Sequence, residues 1–320
     1  MDNMVSFFVA AVMAGTPLLF GTLGEILTEK SGNLNLGVEG MMFMGGVASV
    51  AGAYLYETAA GPAYNGWISA IVALVCALIA GAFGAFLYSV LTVTLRVNQN
   101  VAGLALTIFG TGFGNFFGEV LSNAAGGFVT IGADTKAIFA GNGNLTGVPK
   151  MLLSYNFMVY LGIILAIVMA CFLSRSRKGL SLRSVGESPA TADAAGINVT
   201  RYKYLATCIG GGICGLGGMY IVMADQGATW VHNCVNGKGW IAVALVIFAT
   251  WSPARAIIGS LVFGALSVMR LYVPLGIPTD IYNTAPYVAT VVVLIAVSIR
   301  QRRESQPPNS LGLAYFREER

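Results

Sequence analysis

The chain has 320 residues, of which 56% are hydrophobic and only 10% are charged. An ordinary soluble domain carries about a quarter charged residues, so this composition excludes that class. The net charge of +4 is small and requires no nucleic acid partner. A mean hydropathy of +0.74 instead indicates a membrane protein.

Repeated apolar runs are long enough to cross a bilayer, which takes ~20 residues of helix. Seven such runs are 4–24, 67–94, 101–118, 155–173, 204–224, 256–273 and 286–299, the last one short. Two shorter candidates are 40–56 and 239–251. We therefore predict an all-α transmembrane bundle of about nine spans, with about eight or ten as alternatives. The whole chain, 1–320, is expected to be one domain built from two related halves.

Basic residues cluster in two places, and this distribution predicts the sidedness of the loops. Six of them lie between 175 and 203, and Arg300, Arg302 and Arg303 follow the last run. Because Lys and Arg mark short cytoplasmic loops, we expect 174–203 and the tail 300–320 to be cytoplasmic. Counting back along the spans places Arg96 inside and the long 119–154 loop outside.

A polar stretch, SGNLNLGVEGMM at 31–42, separates the first two apolar runs. Asn35 and Glu39 are four residues apart and share one face if the helix resumes early. A carboxylate inside a bilayer is costly and is a functional hypothesis by default, and broken helices frame transport sites near the midplane. A similar break, NCVNGKGW at 233–240, hints at an internal repeat. The alternative is that both breaks are interfacial turns, with Glu39 in headgroup water.

Further polar residues precede and enter the fourth run: Asn98, Asn100 and Thr107. Together with Asn35 and Glu39, they are candidates for lining a solute pathway, since amides and hydroxyls can bond a polar solute. The same amides can instead cap a helix, and Asn100 is the predicted cap.

Glycines spaced four apart lie on one face of a helix and predict close helix contacts in lipid. The residues in question are Gly110, Gly114 and Gly118 in one run, and Gly211 and Gly215 in another. Residues 210–215 also fit G-x-G-x-x-G. That motif requires a preceding strand, however, and here it lies inside an apolar run.

The stretch LRSVGESPATADAAGINVTRYK, 182–203, is a second kind of polar interruption. Ser188 and Pro189 suit a helix start, and Gly196 suits a helix stop. We therefore predict a short cytoplasmic helix with a face of small residues: Ala190, Ala192, Ala194 and Ala195. Such a face gains little in water but permits close approach to another protein. An ordinary basic loop is the alternative.

At this loop the sequence resembles the cytoplasmic coupling loop of ATP-binding-cassette importer permeases. That family includes permeases for ribose-type sugars, branched-chain amino acids and nucleosides. The sequence similarity extends to 29–46, 96–112 and 236–266, and it therefore covers both halves of the chain. The motif GNLNLGVEGMM is most similar in sequence to the nucleoside-type permeases.

The resemblance implies a multi-pass permease subunit in a bacterial cell membrane. Its partners would be a second permease, homologous but not identical, a cytoplasmic ATPase and an external substrate-binding lipoprotein. This chain would bind no cofactor, because the ATPase uses the ATP. The solute would be a nucleoside, with a simple sugar as the alternative. Contact with the ATPase would involve the predicted helix and its flanks: Glu187, Pro189, Ala192, Asp193, Ala194, Ala195 and Gly196.

Two other classes of function fit the sequence less well. An ion-coupled secondary transporter needs titratable groups buried within spans, and Glu39 and Glu119 are poor support for it. A membrane enzyme needs an acid–base or metal set, whereas the five cysteines have no ligand spacing and His232 is the only histidine. We therefore predict a transport subunit that is not an enzyme.

Overall fold

A computed structural model describes residues 2–141, 148–272, 279–300 and 306–316. Thirteen α-helices occupy most of these ranges, and no named strand occurs within them. The helices are α1 Asp2–Glu29, α2 Val38–Ala60, α3 Gly66–Ser89, α4 Gln99–Ala124, α5 Ala133–Ala140, α6 Val148–Leu153, α7 Phe157–Arg175, α8 Arg177–Glu187, α9 Pro189–Ala194, α10 Val199–Tyr220, α11 Lys238–Phe248, α12 Pro253–Tyr272 and α13 Thr279–Arg300. Short π-helical turns extend α3 and α10.

The predicted all-α class is confirmed, whereas the number of spans is confirmed only in part. Among the described residues, seven helices are long and apolar enough to cross a membrane: α1, α2, α3, α4, α7, α10 and α12. The predicted runs 239–251 and 286–299 are largely helical in α11 and α13. However, α11 has only 11 residues, and neither helix is among the seven. A total of about nine spans stays a prediction.

Helices α1 and α10 lie side by side at the centre of the bundle. Helix α1 also packs against α11 and α12, and α10 packs against α2 and α3. The span that contains α10 is 83% buried, whereas the span formed by α12 is 28% buried. The central position of α10 explains its glycine-rich sequence, because the backbones of α1, α2 and α3 approach it closely only if side chains are absent.

Glycines of α10 contact α3 directly. A Cβ atom on Gly215 would overlap the carbonyl oxygen of Ala77, and one on Gly211 would lie 2.7 Å from the carbonyl oxygen of Gly81. No side chain fits at such distances unless the helices separate. Both glycines therefore lie where two helix backbones touch.

The glycines of α4 lie along its contact with α2 and the segment beyond α10. A Cβ atom on Gly110 would lie 2.5 Å from the carbonyl carbon of Gly40. Gly114 packs against α2 one turn later, and a Cβ atom on Gly118 would overlap the indole ring of Trp230. The four-residue spacing therefore follows one buried stripe of the helix.

The described residues of the segments that were predicted to be cytoplasmic lie together at one end of the bundle, whereas residues 301–305 and 317–320 of the predicted tail lie outside the described residues. The backbone N–H of Ser310 donates to the carbonyl oxygen of Gly186 at 3.1 Å. The hydroxyl of Tyr315 donates to Asp193 at 2.9 Å. The guanidinium of Arg96 lies 4.5 Å from the centre of the Phe316 ring. We call this end the basic end.

The described parts of the predicted 119–154 loop, residues 119–141 and 148–154, lie at the opposite end. The loop begins later than expected, because α4 continues to Ala124, and it contains α5 and α6. Glu57 at the end of α2 anchors it by accepting from the backbone N–H of Gly132 and the hydroxyl of Thr135, both at 2.6 Å. The Lys150 ammonium donates to Ser6 at 3.3 Å, so the start of α1 belongs to the same end.

A short helix, α9, is present at the predicted position in the 182–203 loop. The side chain of Ser188 caps its N-terminus by accepting from the N–H of Thr191. Gly196 follows its end with a φ of +81°, a left-handed conformation that glycine adopts without strain.

The predicted alanine face of α9 is wrong at one position. Ala192 is 2% exposed because it packs against Val185 of α8 and Val199 of α10. This small cluster fastens α9 to its neighbours. The remaining alanines of the predicted face are exposed: Ala190, Ala194 and Ala195.

Replacing Gly110 with Ala is expected to destabilise the bundle by about 1–3 kcal/mol, because the added Cβ forces α2 and α4 apart. The matched control is Gly112→Ala on the same helix, where no atom lies within 4 Å of the new Cβ. This control should leave stability unchanged or raise it by up to about 1 kcal/mol. Thermal unfolding of the solubilised proteins measures both changes. Equal melting temperatures for the two variants would contradict the packing described.

Candidate functional site at the junction of two broken helices

The first polar break, 31–37, has no regular secondary structure, and most of it is buried. The N–H of Asn35 donates to the Glu25 carboxylate at 3.0 Å, and the carbonyl of Leu36 accepts from the Thr107 hydroxyl at 2.9 Å. Non-helical backbone at membrane depth needs such partners, because lipid offers none. Side chains of α1 and α4 therefore hold the segment in place.

This break runs from the basic end to the middle of the bundle. The carbonyl of Gly32 accepts from the N–H of Gly312 in the tail, at 3.3 Å. Eight residues later, Gly40 packs against Gly110, which lies near the middle of α4. Helix α2 therefore begins halfway through the bundle.

The second polar break, 226–237, starts from the opposite end. The N–H of Trp230 donates to the carbonyl of Val129 in the 119–154 loop, at 3.3 Å. Gly237, with a φ of +82°, then turns the chain into α11. The two breaks thus enter the bundle from opposite ends.

Glu39 joins the two breaks. One oxygen of its carboxylate accepts from the N–H of Gly237 and the other from the N–H of Gly239, each at 2.7 Å. The carboxylate therefore caps the N-terminus of α11, where unpaired N–H groups and the helix dipole favour a negative charge. A Cβ atom on Gly239 would lie 2.5 Å from the Cα of Glu39, so glycine is needed for this approach.

The junction bears on the alternative that places Glu39 in headgroup water. Glu39 is only 6% exposed, so protein rather than headgroup water surrounds its side chain. Both of its oxygens are bonded to backbone amides. Whether Glu39 also contacts a solute stays a prediction.

A polar surface borders the junction on the outside of the chain. The Lys238 ammonium pairs with Asp225 at 2.7 Å, and both side chains are partly exposed. The amide of Asn115, on α4, donates to the Asn233 side chain at 2.8 Å and accepts from its N–H at 3.0 Å. We call these four residues the junction surface.

Two of the residues that were predicted to line the pathway, Asn98 and Asn100, lie away from the junction. The side chain of Asn98 caps α4 by accepting from the N–H groups of Asn100 and Val101. Asn98 is therefore the cap, and the prediction that Asn100 fills this role is wrong. Both residues are exposed at the basic end, about 15 Å along α4 from the level of Gly40. Of the predicted set, the structure brings together Asn35, Glu39 and Thr107.

Two buried acids of α1 were not predicted. Glu25 bonds Asn35 through one oxygen, and its other oxygen has no hydrogen-bond partner. Glu29, one turn later, accepts from the indole N–H of Trp251. Sequence reasoning missed both because it ended the first span at residue 24, whereas α1 continues to Glu29. Their four-residue spacing beside a polar break was the available signal.

The tail connects the predicted coupling residues to the first break. The N–H of Asn309 donates to Glu187 at 3.4 Å, and Tyr315 bonds Asp193. The Gln99 amide, which accepts from the N–H of Leu34 at 2.6 Å, also donates to the carbonyl of Leu313 at 3.4 Å. The tail thus touches both α9 and the segment that leads to the junction.

Lys30 lies at the basic end, where the end of α1 meets α8. Its carbonyl group lies so close to Gly186 that a Cβ atom there would overlap it. Burial lowers the pKa of the Lys30 ammonium, and repulsion by Arg183 lowers it further. Attraction by Glu187 acts in the opposite direction.

Helices long and apolar enough to span a membrane, combined with two helices that begin at a buried midpoint, are typical of membrane transport proteins. The family model for the branched-chain amino acid transport system permease component matches residues 7–298. The chain therefore belongs to this family, and the resemblance inferred from the sequence is confirmed.

Three relatives match over nearly their full lengths. A putative glucose ABC transporter permease of Haloferax volcanii is 34% identical, over 97% of both chains. A nucleoside ABC transporter permease of Lactococcus lactis is 32% identical, over 91% of this chain and 92% of the relative. A guanosine ABC transporter permease of Bacillus subtilis is 29% identical, over 99% of both chains. The latter two organisms each have a second such permease, at 23% and 22% identity to this chain.

Replacing Glu39 with Gln is expected to lower the melting temperature and the yield of the protein. An NH₂ group would face a backbone N–H, so one charge-assisted bond of about 1.5–3 kcal/mol is lost. The matched control is Glu119→Gln, which removes the charge of an exposed acid on α4. Thermal unfolding of both purified variants makes the comparison. If Glu39→Gln melted like Glu119→Gln, the capping role would be wrong.

Proposed function

We propose that this chain is a permease subunit of an ATP-driven importer that carries nucleosides, or similar small polar solutes, across a bacterial cytoplasmic membrane. Family membership supports the transport role. The solute class is supported by two relatives that are named for nucleosides and guanosine.

The junction surface is the observation that carries the proposal. Lys238 lies beside Gly239, at the level of Glu39, and Asn115 lies about 5 Å past the middle of α4. Charged and amide groups at this depth do not face lipid, because their desolvation is costly. They face protein or a water-filled path. We infer that the path runs along the junction surface and is completed by a second permease.

The chemistry of this surface suits an uncharged, hydroxyl-bearing solute. Asn115 and Asn233 offer amide donors and acceptors, while Lys238 and Asp225 neutralise each other. A nucleoside presents hydroxyls and base edges that amides can bond. A simple sugar is the second candidate, because the 34% identical relative is named for glucose.

Coupling to ATP hydrolysis is assigned to α9 and its flanks. The exposed face of α9 is small, so it can enter a groove of a cytoplasmic ATPase. The Tyr315–Asp193 bond and the Gly312–Gly32 bond join α9 through the tail to the first break. Movement of α9 would therefore reach the junction through directly bonded groups.

The complete importer would contain two homologous, non-identical permeases, the ATPase and a substrate-binding lipoprotein. In this chain α11 and α13 complete about nine spans, if α11 counts with its preceding break. The halves would be related by an inverted repeat, since α1 followed by α2 corresponds to α10 followed by α11. The packing supports this correspondence, because α1 contacts α12 as α10 contacts α3.

An ion-coupled mechanism is the alternative that the buried acids Glu25 and Glu29 favour. Each of these acids, however, accepts a hydrogen bond from another segment of the chain. Glu25 accepts from Asn35, and Glu29 accepts from Trp251. The family assignment places the chain with ATP-driven permeases instead. Uptake that persists after removal of the ATPase subunit would favour ion coupling.

Replacing Asn115 with Leu is expected to lower the maximal rate of nucleoside uptake about tenfold, the equivalent of one lost hydrogen bond. The half-saturating concentration should change less, because the binding lipoprotein sets the affinity. The matched control is Asn123→Leu, an exposed asparagine near the end of the same helix. Uptake of labelled nucleoside and of labelled glucose by cells with each variant is measured. Normal uptake rates for Asn115→Leu would show that the junction surface does not line the path. Uptake of glucose but not of nucleoside would show that the transported solute is a sugar.

Replacing Ala194 with Arg is expected to abolish transport and substrate-stimulated ATP hydrolysis together. A large cation on the small face of α9 would prevent close docking of the ATPase. Ala194→Ser, which adds one polar atom and little bulk, is the control and should retain both activities. The hydrolysis rate of the reconstituted complex is the measurement. Normal stimulation with Ala194→Arg would show that α9 does not make the coupling contact.

A further inference from the structure

A groove of about 630 Å³ opens on the outer side of the bundle between α7 and α10. Its walls are almost entirely apolar, and several of its side chains are exposed in the single chain. Val168 of α7 is 56% exposed, and Leu205 and Ile209 of α10 are 52% and 55% exposed. Both helices belong to the spanning set, so these side chains lie at membrane depth.

The groove occupies the half of the bundle next to the basic end. From Leu205 to Ile213 it follows α10 for about 12 Å. One leaflet of a bilayer has a hydrocarbon thickness of about 15 Å. The groove therefore matches the reach of an acyl chain in a single leaflet.

Two cations stand at the end of the groove that lies toward the basic end. Lys178 and Arg201 are the only Lys, Arg, Asp or Glu residues that line it. Within the described part of the chain, neither side chain has an ion pair or a hydrogen bond. The groove therefore combines apolar walls with two cations that no acidic residue of the described ranges pairs, at the depth of the lipid headgroups.

The surroundings of Arg201 strengthen this positive charge. A neighbouring cavity of about 750 Å³ shares Arg201 and is also lined by Arg96 and Lys203. Its one acid, Asp193, is bonded to the Tyr315 hydroxyl. These four charged residues contribute a net +2, from three cations and one carboxylate.

We propose that the groove binds an anionic phospholipid of the cytoplasmic leaflet, with one acyl chain between α7 and α10 and its phosphate between Lys178 and Arg201. Basic pockets between spanning helices on the cytoplasmic side are suited to anionic headgroups. An anionic lipid supplies both the apolar surface and the missing counter-charge. A second copy that met this groove with its own groove would bring the same cations and no counter-charge for them.

The bound lipid would also support the coupling loop. Leu182 of α8 and Tyr202 of α10 line the groove, and these two helices flank α9. The lipid would therefore fill the space behind the loop that carries α9. This inference does not depend on which solute is transported.

The test is native mass spectrometry of the purified full-length chain. The protein is equilibrated with equal amounts of phosphatidylglycerol and phosphatidylcholine that carry identical acyl chains. We expect retention of phosphatidylglycerol in preference to phosphatidylcholine. The double variant K178Q/R201Q should retain about tenfold less phosphatidylglycerol, since two charge-assisted contacts are lost. The variant I209W, which fills the groove without changing the charge, should lose the lipid as well.

Matched variants make the result specific. R177Q/R183Q removes the same charge from exposed positions outside the groove and should retain the lipid. K178R/R201K keeps both cations and should also retain the lipid. If K178Q/R201Q does not fold, lipid retention by K178R/R201K and loss of lipid from I209W test the proposal instead. I164W, on an exposed position of α7 outside the groove, is the control for I209W.

Three outcomes would overturn the proposal. The first is equal retention of the two lipids by the unmodified chain. The second is equal retention of phosphatidylglycerol by K178Q/R201Q and R177Q/R183Q. The third is efficient disulfide cross-linking between two chains that carry I209C in native membranes, which would show that a second copy covers the groove.

Discussion

The capping of α11 by Glu39 is the interaction on which the rest of the arrangement depends. Two helices begin in the middle of the bundle, where lipid offers their first N–H groups no hydrogen-bond partner. Glu39 belongs to the first turn of α2, and it accepts from Gly237 and Gly239 at the start of α11. The Glu39 carboxylate thus accepts hydrogen bonds from N–H groups at the start of α11, and its own position is set by α2. This arrangement places polar groups at the centre of an otherwise apolar protein, as a transport path requires.

Such a junction is possible only because the surrounding helices approach closely. Gly40 meets Gly110, and Gly239 meets Glu39, at distances that leave no space for a Cβ atom. In lipid the hydrophobic effect does not drive helices together, so packing and hydrogen bonds must do so. The glycines therefore contribute twice, since they allow dispersion contacts between backbones and bring the hydrogen-bonding groups within reach.

The basic end links this centre to the loops that were predicted to be cytoplasmic. The tail bonds α8, α9, the first break and α4, and it thereby connects elements that are far apart in sequence. Under the proposed coupling role of α9, the tail would carry a displacement of α9 to the first break, since it bonds both. The apolar groove with Lys178 and Arg201 lies behind the same loop, so lipid and ATPase would act on one structural unit from two sides.

Much of the fold could be predicted from local sequence. Apolar length predicted the helices, the Ser188-Pro189 pair and Gly196 predicted the bounds of α9, and the wording of 31–42 and 182–203 identified the family. These features depend on residues close together in the chain. Contacts between distant residues could not be predicted: Ala192 is buried by Val185 and Val199, Asn98 and not Asn100 caps α4, and Glu25 and Glu29 lie inside the bundle. The sequence by itself therefore determined the helices, the two polar breaks and the class of protein. Only the tertiary structure decided that the breaks meet and that Glu39 joins them, because hydrogen bonds across about 200 residues leave no periodic pattern in the sequence.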